Sequence, residues 1–349
     1  MASRTAIGLD IGTSSVRAAQ VTVAKGSAVL DRFGQVPLPA GAVRDGEVVD
    51  PDAVGRAIKQ LWSSTKFSKK DVVLGVSNQR VFVRLVDMPW MPPQDLKNAL
   101  PYQVADLVPM PVTDAVLDFV PLDEIRSDSS RQIRGLLVAA SQDMVLGAIR
   151  AVQKAGLKAT TVDLTPFALL RSAGTADPLS QYGPEAVVDI GSRITNIVVH
   201  EAGVPKFVRI LLLGGDDVTT AIVERLGIPV AEAERMKRDV SFLASDNGAE
   251  ARRVIDAAQA EFVDEVRGSI DYYLATSASR PLSRLVLSGG GSLAPGLAQK
   301  LATAIRTQVE YGKSFAQLTI GKTGLAPEQV RFVEPLAAVP VGLAMGAAS

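Results

Sequence analysis

The chain has no cysteine, so disulfides and thiolate metal sites are excluded. It has one histidine, His200, inside the apolar run Ile197-Val198-Val199-His200. With no second histidine beside it, His200 reads as a structural strand-end residue, not a catalytic or metal-ligating one. There is no surplus of charge: 37 Lys+Arg balance 37 Asp+Glu. A nucleic-acid binder needs a basic surplus, so that class is set aside. No run of about 18 apolar residues is expected to span a membrane, and no apolar signal-peptide core opens the chain. The expected compartment is the cytoplasm, with no direct membrane insertion.

What remains is an apolar globular chain. Hydrophobic residues make up 47% of 349 and charged residues 21%, enough for two domains or two lobes. Near the start, Ile7-Gly8-Leu9 is an apolar strand that stops at Asp10. Gly12-Thr13-Ser14 makes a tight polar turn, and Val16–Val23 leads out as a second strand. Such a hairpin points backbone N–H groups and hydroxyls at one spot, which suits phosphate oxygens. A carboxylate at the strand end suits the hydrated Mg²⁺ that accompanies a nucleotide. Asp-x-Gly sequences also form plain turns, because both residue types favour them.

The second half of the chain favours the phosphate reading. Ala186-Val187-Val188 is an apolar run into Asp189-Ile190-Gly191-Ser192, followed by strands at Ile194–Glu201 and Lys206–Leu213. Strand, Asp-Ile-Gly-(Ser/Thr), strand, turn, strand therefore occurs twice, once at the start of each half. The period is too long for a solenoid and predicts two related lobes facing each other across a cleft. A third stretch, Leu285-Val286-Leu287-Ser288-Gly289-Gly290-Gly291-Ser292, runs a buried strand into three glycines before a helix from about Pro295. Without Cβ atoms, that turn lets a flat base or an α-phosphate approach the backbone, and the helix N-terminus favours anions.

The intervening pattern fills in the architecture. Asp50 caps a helix that begins at Pro51 and runs to Ser64, and Val72–Val76 follows as a buried strand. Residues 80–160 break the pattern. They predict strands at Arg80–Val86, Ala115–Val120 and Gly135–Ala140, a Pro-rich bend at Met88–Pro93, a helix at Asp95–Leu107 kinked at Pro101, an exposed loop tip at Ser127–Ser130, and a helix at Met144–Ala155. Thr160–Leu164 and a helix from Pro166 return to the first lobe, and Ser172–Ser180 reads as the linker. Helices are predicted at Val218–Leu226, Ala231–Leu243 and Ala251–Thr276. The closing segment Phe332–Ala348 carries Gly342 and Gly346, which suit close helix packing.

Two Asp-x-Gly hairpins in tandem lobes plus a late Gly-Gly-Gly-Ser turn resemble the actin/Hsp70/sugar-kinase superfamily. Within it the chain is similar to the PilM family of type IV pilus assembly. The narrower resemblance rests on Arg84-Leu85-Val86-Asp87-Met88-Pro89, Val108-Pro109-Met110-Pro111, Val116-Leu117-Asp118-Phe119, Leu137-Val138-Ala139-Ala140, Val162-Asp163 leading into Phe167-Ala168-Leu169-Leu170-Arg171, and Phe207-Val208-Arg209-Ile210 before Gly214-Gly215 and Thr219. The resemblance implies an α/β fold of two actin-like (RNase H-like) lobes around a nucleotide cleft, with an inserted α+β (1C-like) subdomain in the first lobe. The expected division is residues 1–79 and 161–180 for the first lobe, 80–160 for the insertion, and 181–349 for the second lobe, with a helical part at about 216–280.

Carried over to these positions, the resemblance implies ATP and Mg²⁺. Asp10 and Asp189 would face the metal, mostly through water. Gly12, Thr13, Ser14, Gly191 and Ser192 would contact the β- and γ-phosphates, and Gly289, Gly290, Gly291 and Ser292 the adenosine and α-phosphate. Glu234 and Lys237, one turn apart on a helix face, would reach the ribose or base, although an ordinary solvated pair has the same spacing. No catalytic residue is fixed; the candidates are Asp10, Asp189 and Asp163. The implied partner is the N-terminal cytoplasmic tail of a PilN-like inner-membrane protein, bound by the insertion near a sheet edge or the Pro89–Pro93 bend, with the protein thus held at the inner face of the membrane. Pilus motor or platform proteins and self-association are further expectations.

Two rival readings stay open. An FtsA-like divisome anchor is expected to end in a basic amphipathic helix, whereas this chain has no basic residue after Arg331. A small-molecule kinase needs a base in the cleft beyond the two metal-side aspartates. Two departures bear on turnover. Thr165 stands before Pro166 where many relatives carry a water-orienting Glu or Gln, and Arg193 stands where relatives often carry Gly. Phosphoryl transfer to water needs a group that positions the nucleophile. The expected outcome is tight ATP binding with hydrolysis slower than about one turnover per minute. A single-turnover assay checks it, and a faster rate would reveal a water-positioning group not identified in the sequence.

Overall fold

The computed structural model describes residues 3–24, 26–126, 130–173, 183–277 and 280–348. The predicted loop tip at 127–130 and the linker at 172–180 fall almost wholly outside the described residues. In chain order the elements are β1 (Arg4–Ile11), β2 (Ser15–Ala24), β3 (Ser27–Pro37), the short hairpin β4 (Val43–Arg44) and β5 (Glu47–Val48), α1 (Pro51–Thr65), β6 (Asp71–Val76), β7 (Val81–Pro89), α2 (Pro93–Gln103), β8 (Ala115–Arg126), β9 (Arg131–Ser141), α3 (Gln142–Lys154), β10 (Lys158–Leu164) and α4 (Thr165–Ser172). The second half adds β11 (Glu185–Ile190), β12 (Thr195–Glu201), β13 (Val204–Leu211), α5 (Gly215–Leu226), α6 (Val230–Arg238), α7 (Val240–Ala244), α8 (Ala249–Ser277), β14 (Arg284–Ser288), α9 (Leu297–Ile305), β15 (Gln308–Tyr311), β16 (Leu318–Ile320) and α10 (Pro327–Ala348).

The two halves share one sheet topology. The first sheet has the order β10-β6-β1-β2-β3-β16 and the second β13-β12-β11-β14-β15. In each, the strand carrying the Asp pairs antiparallel with its hairpin neighbour and parallel with the strand on its other side. The hairpin turns match as well: Gly12 N–H donates to the Ser15 carbonyl at 3.0 Å, and Gly191 N–H to the Ile194 carbonyl at 2.9 Å. The duplicated motif in the sequence is thus a duplicated half-sheet.

Helices α1 and α3 cover one face of the first sheet, through residues such as Val54, Ile58, Leu61 and Val152 against Leu9 and Leu74. Asp50 caps α1 as expected, accepting from the Asp52 and Ala53 amides. Helix α8 covers one face of the second sheet through Phe262, Val266 and Ile270. Between the sheets lie α4 and α10. Ala168, Leu169, Ala338 and Leu343 pack there against Val73 of one sheet and Val187, Val198 and Val286 of the other.

The C-terminal segment departs from the expected division. β16 pairs parallel with β3, and α10 crosses β1, β2 and α4. The last part of the chain therefore completes the first lobe and does not belong to the second. The reason is steric fit. A Cβ on Gly8 would stand 2.0 Å from the Pro340 carbonyl oxygen, and one on Gly342 would stand 1.8 Å from that of Ala168. These glycines let backbone meet backbone. By length and composition α10 is also apolar enough to cross a membrane, contrary to the expectation of no such stretch, but here its apolar residues Ala337, Val341 and Leu343 are buried in the protein.

The insertion forms a three-stranded sheet, β7-β9-β8, backed by α2. β7 runs through Met88 to Pro89 before the bend begins, and α2 stops at Gln103, short of the expected Leu107. The predicted helix at 231–243 is two helices, because Asp239 turns out of the helix and accepts from Phe242 N–H to cap α7. His200 is fully buried and structural: its Nδ1 accepts from Gly203 N–H at 3.2 Å. Burial and the Arg284 charge push its pKa down to about 4, which keeps it neutral.

The α4–α10 crossing gives a direct test. Gly342→Ala is expected to cost about 3 kcal/mol of stability, near the upper end for overpacking, because the blocking atom is backbone. A denaturant melt with an unchanged midpoint would show that the helices are not packed this closely.

Candidate functional site

The strand ends carrying Asp10 and Asp189 open on one cavity between the two sheets. Its lining includes Asp10, Gly12, Thr13, Ser14, Asp189, Gly191 and Ser192, together with Arg17, Ser77, Thr165 and Asn196. Seven of the residues singled out in the sequence are thus brought together. Thr165 was noted in the sequence, and the other three were missed. Two of these, Arg17 and Asn196, had a signal. Each sits directly across the antiparallel ladder from its Asp, Asp10 opposite Arg17 and Asp189 opposite Asn196, at the same spacing in both repeats. The third, Ser77, is brought in by the parallel pairing of β1 with β6, which no local pattern announces.

The electrostatics are those of a site short of positive charge. Asp189 is 8% exposed. Burial and the nearby Asp10 carboxylate push its pKa up to about 6, opposed by the Arg17 charge and by hydrogen bonds from Ser288 and Asn196. Burial also raises Asp10, and Arg17 at 3.6 Å partly offsets it. Among the described residues no group of three or more His, Cys, Asp or Glu is placed to hold a metal. Two carboxylates with raised pKa values and no third ligand fit Mg²⁺ held mostly through water and phosphate, the way that ion usually binds. Asp10 and Asp189 would hold it, and the ion would supply the positive charge that an anionic ligand needs here.

The other singled-out residues, Glu234, Lys237, Gly289–Ser292 and Asp163, are not among those lining this cavity. Glu234 and Lys237 are not a solvated pair. The Lys237 ammonium donates to Glu234 Oε1 at 2.5 Å, Thr219 Oγ1 at 2.6 Å and the Gly215 carbonyl at 2.8 Å, and Lys237 is 9% exposed. Arg238 holds the other Glu234 oxygen at 2.7 Å. The cluster stands over the start of α5, where Gly215 N–H and Asp216 N–H bond the Gly191 and Ser192 carbonyls at 2.9 and 2.8 Å.

The glycine turn packs against the second hairpin. Cβ atoms on Gly289 and Gly291 would come within 2.4 and 3.0 Å of the Ile190 carbonyl oxygen. Gly290 is the exposed member. Ser292 is fully buried and donates to the Gly289 carbonyl at 2.7 Å, so its hydroxyl serves its own turn, not a ligand. Asp163 is a correction. It is bound to Arg171 and accepts from Leu164 N–H, and it lines a different cavity from Asp10 and Asp189. Arg193 does not crowd the cavity either. Its guanidinium is held by Asp217 at 2.6 Å and faces Asp45 at 3.7 Å.

The second cavity is larger, about 510 Å³. Its walls are the insertion's β8 and β9 (Val116, Leu117, Val138), α4 with its preceding strand (Val162, Phe167, Leu170), and the β12–β13 turn at Gly203 and Pro205. β8 is an edge strand, paired only with β9. The Pro89–Pro93 bend is not part of this groove; Trp90 there stacks under Arg131, whose guanidinium lies 3.6 Å from the ring centre.

Residues 8–348 match the family model of the type IV pilus assembly protein PilM. The chain belongs to the PilM family. The similarity extends over the whole structure: a solved PilM-PilN type IV pilus biogenesis complex superposes with a TM-score of 0.86 at 28% identity, covering 99% of this chain and 98% of that one. The cell division protein FtsA of Bacillus subtilis is 23% identical over 268 residues, 70% of this chain and 60% of FtsA. This chain thus matches only part of the length of its curated relatives. MreB5 of Spiroplasma citri bound to ADP has a TM-score of 0.53 at 14% identity over 97% of this chain and 94% of that one, and it shares the fold. The chain is therefore an actin-like member of the PilM family.

The raised Asp189 pKa carries a prediction with a definite sign. Its folded value, about 6, lies above the ordinary carboxylate range. The stability that the protonated form contributes is present below about pH 4 and is lost as pH rises through 6. At pH 7 the ionised, buried group is a cost. Asp189→Asn, which keeps the shape without the charge, is expected to stabilise the protein, free of nucleotide and metal, by about 2 kcal/mol at pH 7. The gain should vanish near pH 4. Urea melts at the two pH values check this, and equal gains at both would refute it.

Proposed function

We propose that this PilM-family protein is a nucleotide-holding scaffold that docks the cytoplasmic N-terminal tail of a PilN-like inner-membrane protein. The observation that carries the reading is the groove between the insertion and the first lobe. It is apolar, it is separate from the Asp10–Asp189 cavity, and an edge strand borders it. Extended peptides bind such places by adding main-chain hydrogen bonds to the edge and apolar side chains to the pockets. The solved relative in complex with PilN supports a PilN-like occupant. Docking there would place the protein at the cytoplasmic face of the inner membrane through its partner.

ATP with Mg²⁺ is the proposed occupant of the interlobe cavity. The two hairpin turns offer backbone N–H groups and hydroxyls to the phosphates, Arg17 adds a cation, and Asp10 and Asp189 face the metal. The Glu234–Lys237–Thr219 cluster and the exposed Gly290 lie on the second-lobe side for the nucleoside. Among the described residues, Asp10 and Asp189 are the only carboxylates lining the cavity. Thr165 stands in the cavity where a water-orienting acid or amide would serve, and Asp163 is engaged elsewhere. Lobe position, not phosphate turnover, is the expected output of nucleotide binding. A small-molecule kinase is disfavoured by the same lack of a base.

The tail peptide of the partner, fluorescently labelled, tests this reading by anisotropy in the presence of ATP and Mg²⁺. Binding to the unaltered protein is expected. Val116→Arg, at a position 45% exposed on the groove wall, should weaken it at least tenfold, the loss of roughly 1.4 kcal/mol, and leave the nucleotide affinity unchanged. No binding to the unaltered protein, or full binding to the variant, would overturn the assignment of the groove.

A further inference from the structure

The interlobe cavity has a volume of only about 70 Å³. Small-molecule sites run to several hundred Å³, so the cavity has to widen to take a nucleotide. Two polar contacts hold the lobes together at the mouth. On the first-lobe side stands the β4–β5 hairpin. Its turn residues Asp45 and Gly46 both have positive φ, 50° and 80°, the two-residue turn whose twist suits a tight hairpin. Asn78, 2% exposed, clamps it by donating to the Asp45 carbonyl at 3.0 Å and Glu47 Oε1 at 3.1 Å. Gly46 lies so close to Ser77 that a Cβ would sit 2.3 Å from its carbonyl oxygen. The arm is therefore rigid, and it presents the Asp45 carboxylate at a fixed point.

On the second-lobe side, Arg193 follows directly on Gly191-Ser192 of the second phosphate hairpin. Asp217 orients it: one oxygen takes the guanidinium at 2.6 Å, and the other accepts from Gly214 N–H at 2.7 Å at the start of α5. So held, the guanidinium reaches across to Asp45 at 3.7 Å. Beside it, Ser77 of the first lobe donates to Asn196 Oδ1 of the second at 2.5 Å. Both contacts span the mouth, and Gly46, Ser77 and Asn196 line the cavity itself.

We propose that Arg193 is a positioning residue that latches the lobes across the mouth of the cavity, so that nucleotide exchange has to break the Arg193–Asp45 contact. The proposal rests on the nucleotide reading of the cavity only for its kinetic consequence. The latch itself needs no ligand.

The test uses Arg193→Ala, Asp45→Asn and the double variant of the full chain. Asn tolerates the positive φ of position 45, so Asp45→Asn removes the charge and keeps the turn. Stopped-flow mixing with a fluorescent ATP analogue plus Mg²⁺ is expected to show association two- to fivefold faster in each single variant, the range for a partly exposed ion pair. The double variant should be no faster than the singles, and the difference should shrink in 1 M salt. Unchanged rates, or single effects that multiply in the double, would overturn the latch. Hydrogen exchange in the nucleotide-free protein is the independent readout: amides on the cavity walls, residues 75–77, 194 and 196, should lose protection in Arg193→Ala, because the lobes part more readily. If the analogue does not bind at all, the nucleotide reading fails and exchange alone decides the latch. Protection unchanged in that measurement would overturn it.

Discussion

The backbone-to-backbone crossing of α4 and α10 sets the geometry of the molecule. Two helices lie between two sheets, and they can do so only because Gly342 lacks the Cβ that would strike the Ala168 carbonyl. A helix pair normally keeps 8–10 Å between axes, and small residues at the contact bring the pair toward the lower end. The crossing joins the lobes at the base of the cleft and fixes how far apart the Asp10 and Asp189 strand ends stand. α10 touches both sides. It lies on β1 and β2, and its Pro335 carbonyl accepts from Gly289 N–H at 3.0 Å in the second lobe.

That placement produces a site whose charges the protein itself balances poorly. Two carboxylates face one buried cavity with one nearby guanidinium, and their pKa values rise. Strain of this kind is common where a ligand later supplies the missing charge. The same cavity is closed at its mouth by polar contacts, not by apolar packing. Polar contacts across a partly wet gap are individually weak, so closure can respond to a ligand without a large barrier. The base is apolar and tight, and the mouth is polar.

The apolar groove uses the other face of the same elements. α4 begins at Thr165 in the interlobe cavity and continues with Phe167 and Leu170 in the groove, and Val76 lines both. One short helix therefore borders two cavities. This accounts for the place of Asp163. It belongs to the strand that feeds α4, yet its carboxylate is turned to Arg171 on the groove side, away from the two Asp-Ile-Gly hairpins.

The sequence by itself determined what depends on local spacing. The repeated Asp-Ile-Gly hairpins follow from alternation and turn chemistry within a dozen residues, and the structure repeats them with the same turn and the same ladder. The Asp50 cap and the long α8 were legible for the same reason, whereas the insertion expected at 80–160 was drawn too long, because α3 packs on the first sheet and β10 joins it. Helix ends at Gln103 and Asp239 were misjudged because caps and breaks compete closely with propensity. The residues that complete the site were not legible as a set. Arg17 and Asn196 acquire meaning only through cross-strand register, Ser77 only through a parallel neighbour far along the chain, and Arg193 only when Asp45 arrives from the other lobe. The Glu234–Lys237 pair reads as solvent-exposed until Thr219 and Gly215 enclose it. Tertiary structure also decided that the last thirty or so residues return to the first lobe. Their apolar pattern states that they are buried, but burial has no address in a sequence. The partner surface is chosen by steric fit, here by two glycines, Gly8 and Gly342, on elements at opposite ends of the chain.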